Sequence, residues 1–187
     1  FNHRAGFIDT LKKMGYEVHT VAPAANFTSI KNPGTVFHQV KNLERKGKNP
    51  FSDLFLIFEY YRIYKKIKPD MVFTYTIKTN IYSAIACRFA GIPVACTVNG
   101  LGTAFDNPSG MTYRIVKQLY RWAFKKAHAV IFQNPDDRQF FIDEKIIGDR
   151  NVYLVNGSGA DLKKFDFTPV PETRKFMLIS RMLKNKG

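Results

Sequence analysis

Val94-Ala95-Cys96-Thr97-Val98-Asn99-Gly100-Leu101-Gly102 decides the reading of the fold. Pro93 marks its entry, and a run of small and β-branched residues follows, the pattern of a short strand buried on both faces. The run ends in two glycines two residues apart. They permit a sharp turn and let a ligand reach the backbone with no Cβ in the way. Alone, such a stretch reads as a plain strand-to-loop turn. In an open parallel α/β sheet, however, ligands bind at the carboxyl ends of strands. Whether this turn is a site edge therefore depends on the segments around it.

Upstream, Met71-Val72-Phe73-Thr74-Tyr75 reads as a second buried strand after the Pro69-Asp70 break. A loop over Thr76-Ile77-Lys78-Thr79-Asn80 follows, then a helix rich in small residues from Ile81 to Ala90, closed by Gly91. Earlier still, apolar residues at Phe7, Ile8, Leu11 and Met14 have helical spacing over 5–14, with Gly15 closing the helix. His3 and Arg4 precede it with no pattern of their own. Strands follow at 17–22 and 36–40, then a basic loop over 41–49. A long helix opens at Pro50-Phe51-Ser52-Asp53, with Ser52 as its cap, and runs to about Lys68.

Downstream, residues 113–126 form an amphipathic pattern. Ile115, Val116, Leu119, Trp122 and Ala123 lie on one side; Arg114, Lys117, Arg121, Lys125 and Lys126 lie on the other. A strand over 127–132 follows, then a helix with Asn134 as its cap and Pro135-Asp136-Asp137 in its first turn. Another strand at 152–155 runs into Asn156-Gly157-Ser158-Gly159. Residues 163–172, punctuated by proline, read as a linker, and Lys175 to Ser180 as a strand beyond it. Strands alternating with helices predict an α/β fold: a Rossmann-like, doubly wound parallel sheet covered on both faces. A helix, a glycine and a strand at the start form the second half of a βαβ unit whose first strand is missing from the sequence. The expectation is a stretch that is unstable alone, or a sheet with a gap beside strands 17–22 and 71–75.

The 187 residues suit one domain and part of another, and 45% hydrophobic content supports an ordinary core. The net charge of +14 favours an anionic partner, whether nucleic acid, anionic lipid or a phosphorylated substrate. Cys87 and Cys96 sit in apolar surroundings without metal-ligand spacing and read as reduced core thiols. No apolar run approaches the ~20 residues of a membrane-spanning helix.

Six segments in order carry a family resemblance. They are His3-Arg4 before a helix closed by Gly15-Tyr16-Glu17-Val18-His19, then Lys68-Pro69-Asp70-Met71-Val72, then Ala90-Gly91-Ile92-Pro93-Val94. Asn99-Gly100-Leu101-Gly102-Thr103-Ala104-Phe105, Gly157-Ser158-Gly159-Ala160-Asp161 and Ser180 to Gly187 complete the series. Together they resemble family 4 of the glycosyltransferases, retaining enzymes of the two-domain GT-B fold, and within it the bacterial members that build surface polysaccharides. The resemblance implies an acceptor-side domain over residues 1–168. It implies that residues 169–187 are a linker and the first strand of a truncated donor-binding domain.

It also implies transfer of a sugar from a nucleotide-sugar donor to a glycan or polyprenyl-diphosphate-linked acceptor, without cofactor or metal. Arg181 and Lys186 match the family's cations on the donor diphosphate, where they would neutralise charge on the leaving group. Asn99 stands, with Gly100, where many relatives have a donor-facing His; its amide can position but cannot be a cation. His3, Arg4, Lys78, Thr79, Asn80, Gly102, Gly157 and Ser158 are expected on the acceptor side of the cleft. The paired glutamates of the family's second domain are not in this sequence, so no catalytic residue is assigned. The expected location is cytoplasmic, peripheral at the inner face of the cytoplasmic membrane, with basic helix faces meeting anionic lipid.

Two other classes compete. A nucleic-acid-binding module would use the same charge, with the 17 Phe and 9 Tyr as stacking surfaces; the helical spacing of most of them speaks for a core instead. A sugar-binding relative without catalysis is the other, for which Asn99 is the hint.

Overall fold

The computed structural model describes residues 2–23, 34–43, 50–159 and 169; the side chains at 2, 3, 50 and 51 are outside that description. These residues form six strands and five α-helices, alternating except that β2 follows β1: α1 (Asn2–Lys13), β1 (His19–Ala22), β2 (Val36–Gln39), α2 (Pro50–Ile67), β3 (Val72–Tyr75), α3 (Ile77–Ala90), β4 (Val94–Val98), α4 (Met111–Phe124), β5 (Ala129–Phe132), α5 (Pro135–Asp143) and β6 (Val152–Leu154). The linker and the strand expected at 175–180 fall outside the described residues, as do Arg181 and Lys186.

Every ladder is parallel. β3, β4, β5 and β6 form one sheet in that order, and β1 and β2 form a separate pair. Among the described residues β1 and β3 share no ladder. All five residues of β4 are buried, as its unbroken small and β-branched run predicts for a strand covered on both faces.

Alternation along β3 shows what covers each face. Phe73 meets Phe7 of α1 with ring centroids 5.0 Å apart, and Arg4 of α1 lies over Tyr75. Thr74, between them in sequence, hydrogen-bonds Asn80 of α3. Successive strand residues point to opposite faces, so α1 and α3 lie on opposite sides of the sheet. α3 packs between α2 and α4. Its small Ser83, Ala84, Ala86 and Cys87 are all buried, and they let neighbouring backbones approach. Gly91, in the left-handed conformation at φ 75°, ends this helix, and the Ile92 N–H donates back to the Cys87 carbonyl at 3.0 Å. Burial pushes both thiols up, Cys87 and Cys96 alike to about 12, so each stays protonated as a core group.

Under α4 and α5 the core is aromatic. Phe105 packs on Tyr113, Phe140 and Phe141 at 5.4–5.9 Å between ring centroids. Phe141 in turn touches Tyr120 and Phe132. These rings are core groups, unavailable for stacking on a nucleic acid, although Phe55, Phe58, Phe89 and Tyr153 are exposed elsewhere.

The helix starts differ from expectation in instructive ways. α1 begins at Asn2 rather than Ala5, which puts His3 and Arg4 in its first turn. Ser52 lies inside the first turn of α2, and its hydroxyl faces the Asn42 carbonyl at 3.5 Å instead of capping. Lys78, Thr79 and Asn80 are not a loop: α3 starts at Ile77, only two residues past β3. Asn134 does cap α5, accepting the Asp137 N–H at 2.7 Å. On α4, Tyr113, Tyr120, Ala123 and Phe124 are the buried residues, whereas Ile115 and Trp122, assigned to the packed side, are exposed.

Candidate functional site

The carboxyl ends of β3, β4, β5 and β6 lie along one edge of the sheet because all four strands run parallel. Each hands over to a turn that its sequence builds for close approach. After β3 comes Thr76 at φ 78°, ψ 154°, a conformation almost confined to glycine and strained for a β-branched residue. The Thr79 hydroxyl donates to the Tyr75 carbonyl and holds that turn closed. After β4, Gly100 and Gly102 take φ 146° and 66°. A Cβ on Gly102 would stand 2.8 Å from Ile77 Cδ1, so this turn is packed against the start of α3. The chain then makes a 3-10 turn over Thr103–Phe105 and drives Phe105 into the aromatic core, which anchors the turn from behind. After β6, Gly157 at φ 75° donates its N–H to the Val155 carbonyl at 2.9 Å and presents Ser158.

Arg4 ties these turns together. Its guanidinium carbon sits 3.7 Å from the centroid of the Tyr75 ring. One terminal nitrogen donates to Ser158 Oγ at 3.3 Å and the other to Asn99 Oδ1 at 3.4 Å. Gln133, the residue after β5, donates from Nε2 to the same Ser158 Oγ at 3.1 Å. Burial pushes the Tyr75 hydroxyl above its ordinary range, and the Arg4 charge partly offsets this. Side chains from β3 and the turns after β4 and β6 thus meet the guanidinium that α1 supplies, and Gln133 after β5 joins through Ser158. The guanidinium can fix an anionic or polyhydroxylated ligand from several sides at once.

Of the predicted cleft residues, the structure joins Arg4, Asn99 and Ser158 directly, with Gly100, Gly102 and Gly157 in the turns that carry them. Asn80 does something else. It is 1% exposed, accepts from Thr74 Oγ1 at 2.7 Å and donates to the Thr97 carbonyl at 2.8 Å. A buried amide satisfied on both sides clamps α3 to β3 and β4 and leaves nothing for a ligand. Lys78 is paired with Asp53 of α2 at 2.8 Å, and the Tyr82 hydroxyl holds the other carboxylate oxygen at 2.6 Å. Thr79 is engaged in the turn already described. His3 lies in the first turn of α1, its side chain outside the description.

Tyr75 and Gln133 were missed by sequence reasoning, although the rule that selected Asn99 also reaches them. Each ends or directly follows a parallel strand. Away from the rim, His38 Nε2 lies 2.8 Å from His19 Nδ1 across the β1–β2 pair.

A half-domain with parallel strands, helices on both faces and its polar rim at the strand carboxyl ends is the Rossmann-like half of a GT-B fold. Two solved structures share it. MurG of Acinetobacter baumannii superposes with a TM-score of 0.56 over 84% of this chain and 41% of its own, at 19% identity. UDP-N-acetylglucosamine 2-epimerase of Rickettsia bellii gives 0.52 over 76% and 37%, at 16% identity. The glycosyl transferase 4-like family profile matches residues 2–134, and the chain belongs to that family.

Among curated relatives, the Campylobacter jejuni N,N'-diacetylbacillosaminyl-diphospho-undecaprenol alpha-1,3-N-acetylgalactosaminyltransferase is 25% identical over 169 residues, 88% of this chain and 45% of its own. The Escherichia coli UDP-Gal:alpha-D-GlcNAc-diphosphoundecaprenol alpha-1,3-galactosyltransferase is 32% identical over 118 residues, 60% and 29%. The chain therefore spans less than half the length of these relatives.

Proposed function

We propose that this chain is the acceptor-side half of a glycosyltransferase. That enzyme moves a sugar from a nucleotide sugar to a polyprenyl-diphosphate-linked acceptor during bacterial surface polysaccharide synthesis. One observation carries the reading. Arg4, Asn99 and Ser158, from three distant segments, meet at the strand carboxyl ends of a glycosyl transferase 4-like domain. The names of both relatives specify diphospho-undecaprenol-linked substrates, which supports the acceptor class.

In this reading Asn99 positions the donor sugar through its amide, while Arg181 and Lys186 neutralise the nucleotide diphosphate as it leaves. Anomeric configuration is retained. Residues 1–168 form the acceptor domain, and 169–187 lead into the donor domain. The test is to incubate the full-length parent with a panel of radiolabelled nucleotide sugars and a polyprenyl-diphosphate-linked monosaccharide. A labelled lipid product with the donor's anomeric configuration is expected. Binding of nucleotide sugar without transfer or hydrolysis would favour the non-catalytic relative instead.

The same reading places the enzyme at the inner face of the cytoplasmic membrane. No helix among the described residues is long and apolar enough to cross a bilayer. α4 instead exposes Met111, Ile115 and Trp122, with Phe89 of α3 edge-on to Trp122 at 6.1 Å. Arg88 lies over the same indole, and Arg114, Lys125 and Lys126 are exposed on the same helix or just beyond its end. Apolar side chains flanked by cations suit an anionic bilayer surface, each cation contributing ~1 kcal/mol. Flotation with anionic vesicles checks this. Trp122→Ser with Ile115→Ser should abolish binding at any salt, and 0.5 M salt should weaken the wild type. Binding unchanged by either would rule this surface out.

A further inference from the structure

Arg4 carries a charge that no carboxylate neutralises among the described residues. Lys78 is answered by Asp53 and Lys117 by Glu144, while Arg121 is held by the Glu144 and Lys145 carbonyls at 2.7 and 2.9 Å. Arg4 has neutral partners, the Asn99 amide oxygen and the Ser158 hydroxyl, at the long distances of 3.4 and 3.3 Å. A guanidinium offers five N–H donors in a rigid fork, so these two bonds leave most of it uncommitted. Its face is fixed by the Tyr75 ring at 3.7 Å.

What surrounds it also donates. Ser158 Oγ accepts from both Arg4 and Gln133, which directs its own proton elsewhere. The Asn99 amide oxygen accepts from Arg4, and its amide nitrogen donates to no described residue. Gly100 and Gly157, both at positive φ, open the backbone beside these two residues. The strained Thr76 sets the turn next to Tyr75. Strain of this kind persists where the surroundings enforce it, and it clusters at ligand clamps.

We propose that Arg4, Asn99 and Ser158 form a receptor for a diphosphate group. The donors approach from the turns after β4 and β6, on two sides of the guanidinium. An anion with oxygens spread over two phosphorus atoms engages both sides, which a single carboxylate does not. Arg4 binds bidentately while Asn99 and Ser158 flank it. The identity of the molecule that carries the diphosphate rests on the proposed function: the lipid-linked acceptor or the nucleotide. The chemistry of the receptor is the same for both.

Calorimetric titration of the full chain with inorganic pyrophosphate at low salt tests this. Arg4→Gln should weaken binding about 10- to 100-fold, the range for hydrogen bonds to charged groups. Arg4→Lys should fall between, because it keeps the charge and loses the fork. Lys13→Gln, an exposed site on the same helix with the same change in charge, should bind as wild type. Equal weakening by Arg4→Gln and Lys13→Gln would reduce the effect to net charge and overturn the proposal, as would wild-type binding by Arg4→Gln at an unchanged melting temperature.

Competition by farnesyl diphosphate and by UDP then tells the lipid source from the nucleotide source. If Arg4→Gln abolishes pyrophosphate binding while the parent transfers no sugar, the receptor stands and the transferase reading falls. If the parent transfers sugar and Arg4→Gln leaves both substrate KM values unchanged, the receptor falls and the transferase stands.

Discussion

Two polar clusters lie within a few residues of each other in this half-domain, and they are built on opposite principles. Behind the rim, Asn80 joins Thr74 to Thr97 in a buried group whose donors and acceptors answer one another, and the Tyr64 and Ser83 hydroxyls meet nearby at 2.5 Å. At the rim, Arg4, Asn99, Ser158 and Gln133 leave donors over and a charge unanswered. The first cluster is closed and serves the fold. The second is open, and an open cluster of donors in a well-anchored frame is what a ligand needs. Polarity at the end of a strand does not distinguish them; the count of satisfied partners does.

The contrast is broken or sharpened most strongly at Asn80. Asn80→Ala strands Thr74 Oγ1 and the Thr97 carbonyl in the core and should cost about 3–4 kcal/mol in urea unfolding. A cost below 1 kcal/mol would mean that the buried clamp is not a closed one. Gly102→Ala comes next. Its φ of 66° and the approach to Ile77 both oppose a Cβ, for about 2 kcal/mol of destabilisation. Combining it with Ile77→Val should restore only the smaller part, since the backbone strain remains. Full recovery would assign the cost to the clash alone.

Thr76→Gly should instead stabilise by about 1 kcal/mol, because relief of strain exceeds the added backbone entropy of glycine. The smallest effect is expected far from the rim. Burial, then the neighbouring His19 and Lys66, lower the His38 pKa from its usual 6.5. The folded state therefore takes up that proton less readily than the unfolded one. Stability should be full above pH 6.5 and decline as pH falls below it. His38→Gln should flatten the melting temperature between pH 7 and 5.5.

Much of the fold was legible because its signals are local. The unbroken apolar run of β4, the Asn134 cap and the glycine after α3 each act within a few residues. Helix starts were less legible. Lys78, Thr79 and Asn80 read as a loop because polar residues after a strand commonly are one. That Asn80 is a core group depends on Thr74 and Thr97, which only the parallel register brings within reach. Ile115 and Trp122 fit the period of a packed stripe, yet the buried side of α4 is set by Tyr113 and Tyr120, whose rings meet or tilt against Phe105. At the site, the family resemblance supplied Ser158, and the strand-end rule found the turn that carries Asn99. It passed over Tyr75 and Gln133, since nothing in the sequence says that an arginine from α1 will lie across the first and that Ser158 will meet the second.

The most direct measurement crosses the two clusters: urea stability and pyrophosphate affinity, on Asn80→Ala and Arg4→Gln side by side. The account predicts that Asn80→Ala loses stability but binds pyrophosphate as wild type once the folded fraction is taken into account. It predicts that Arg4→Gln keeps its stability within about 1 kcal/mol and loses the ligand. If both variants lose stability and affinity together, the rim is one more piece of scaffold and the division between closed and open clusters is contradicted.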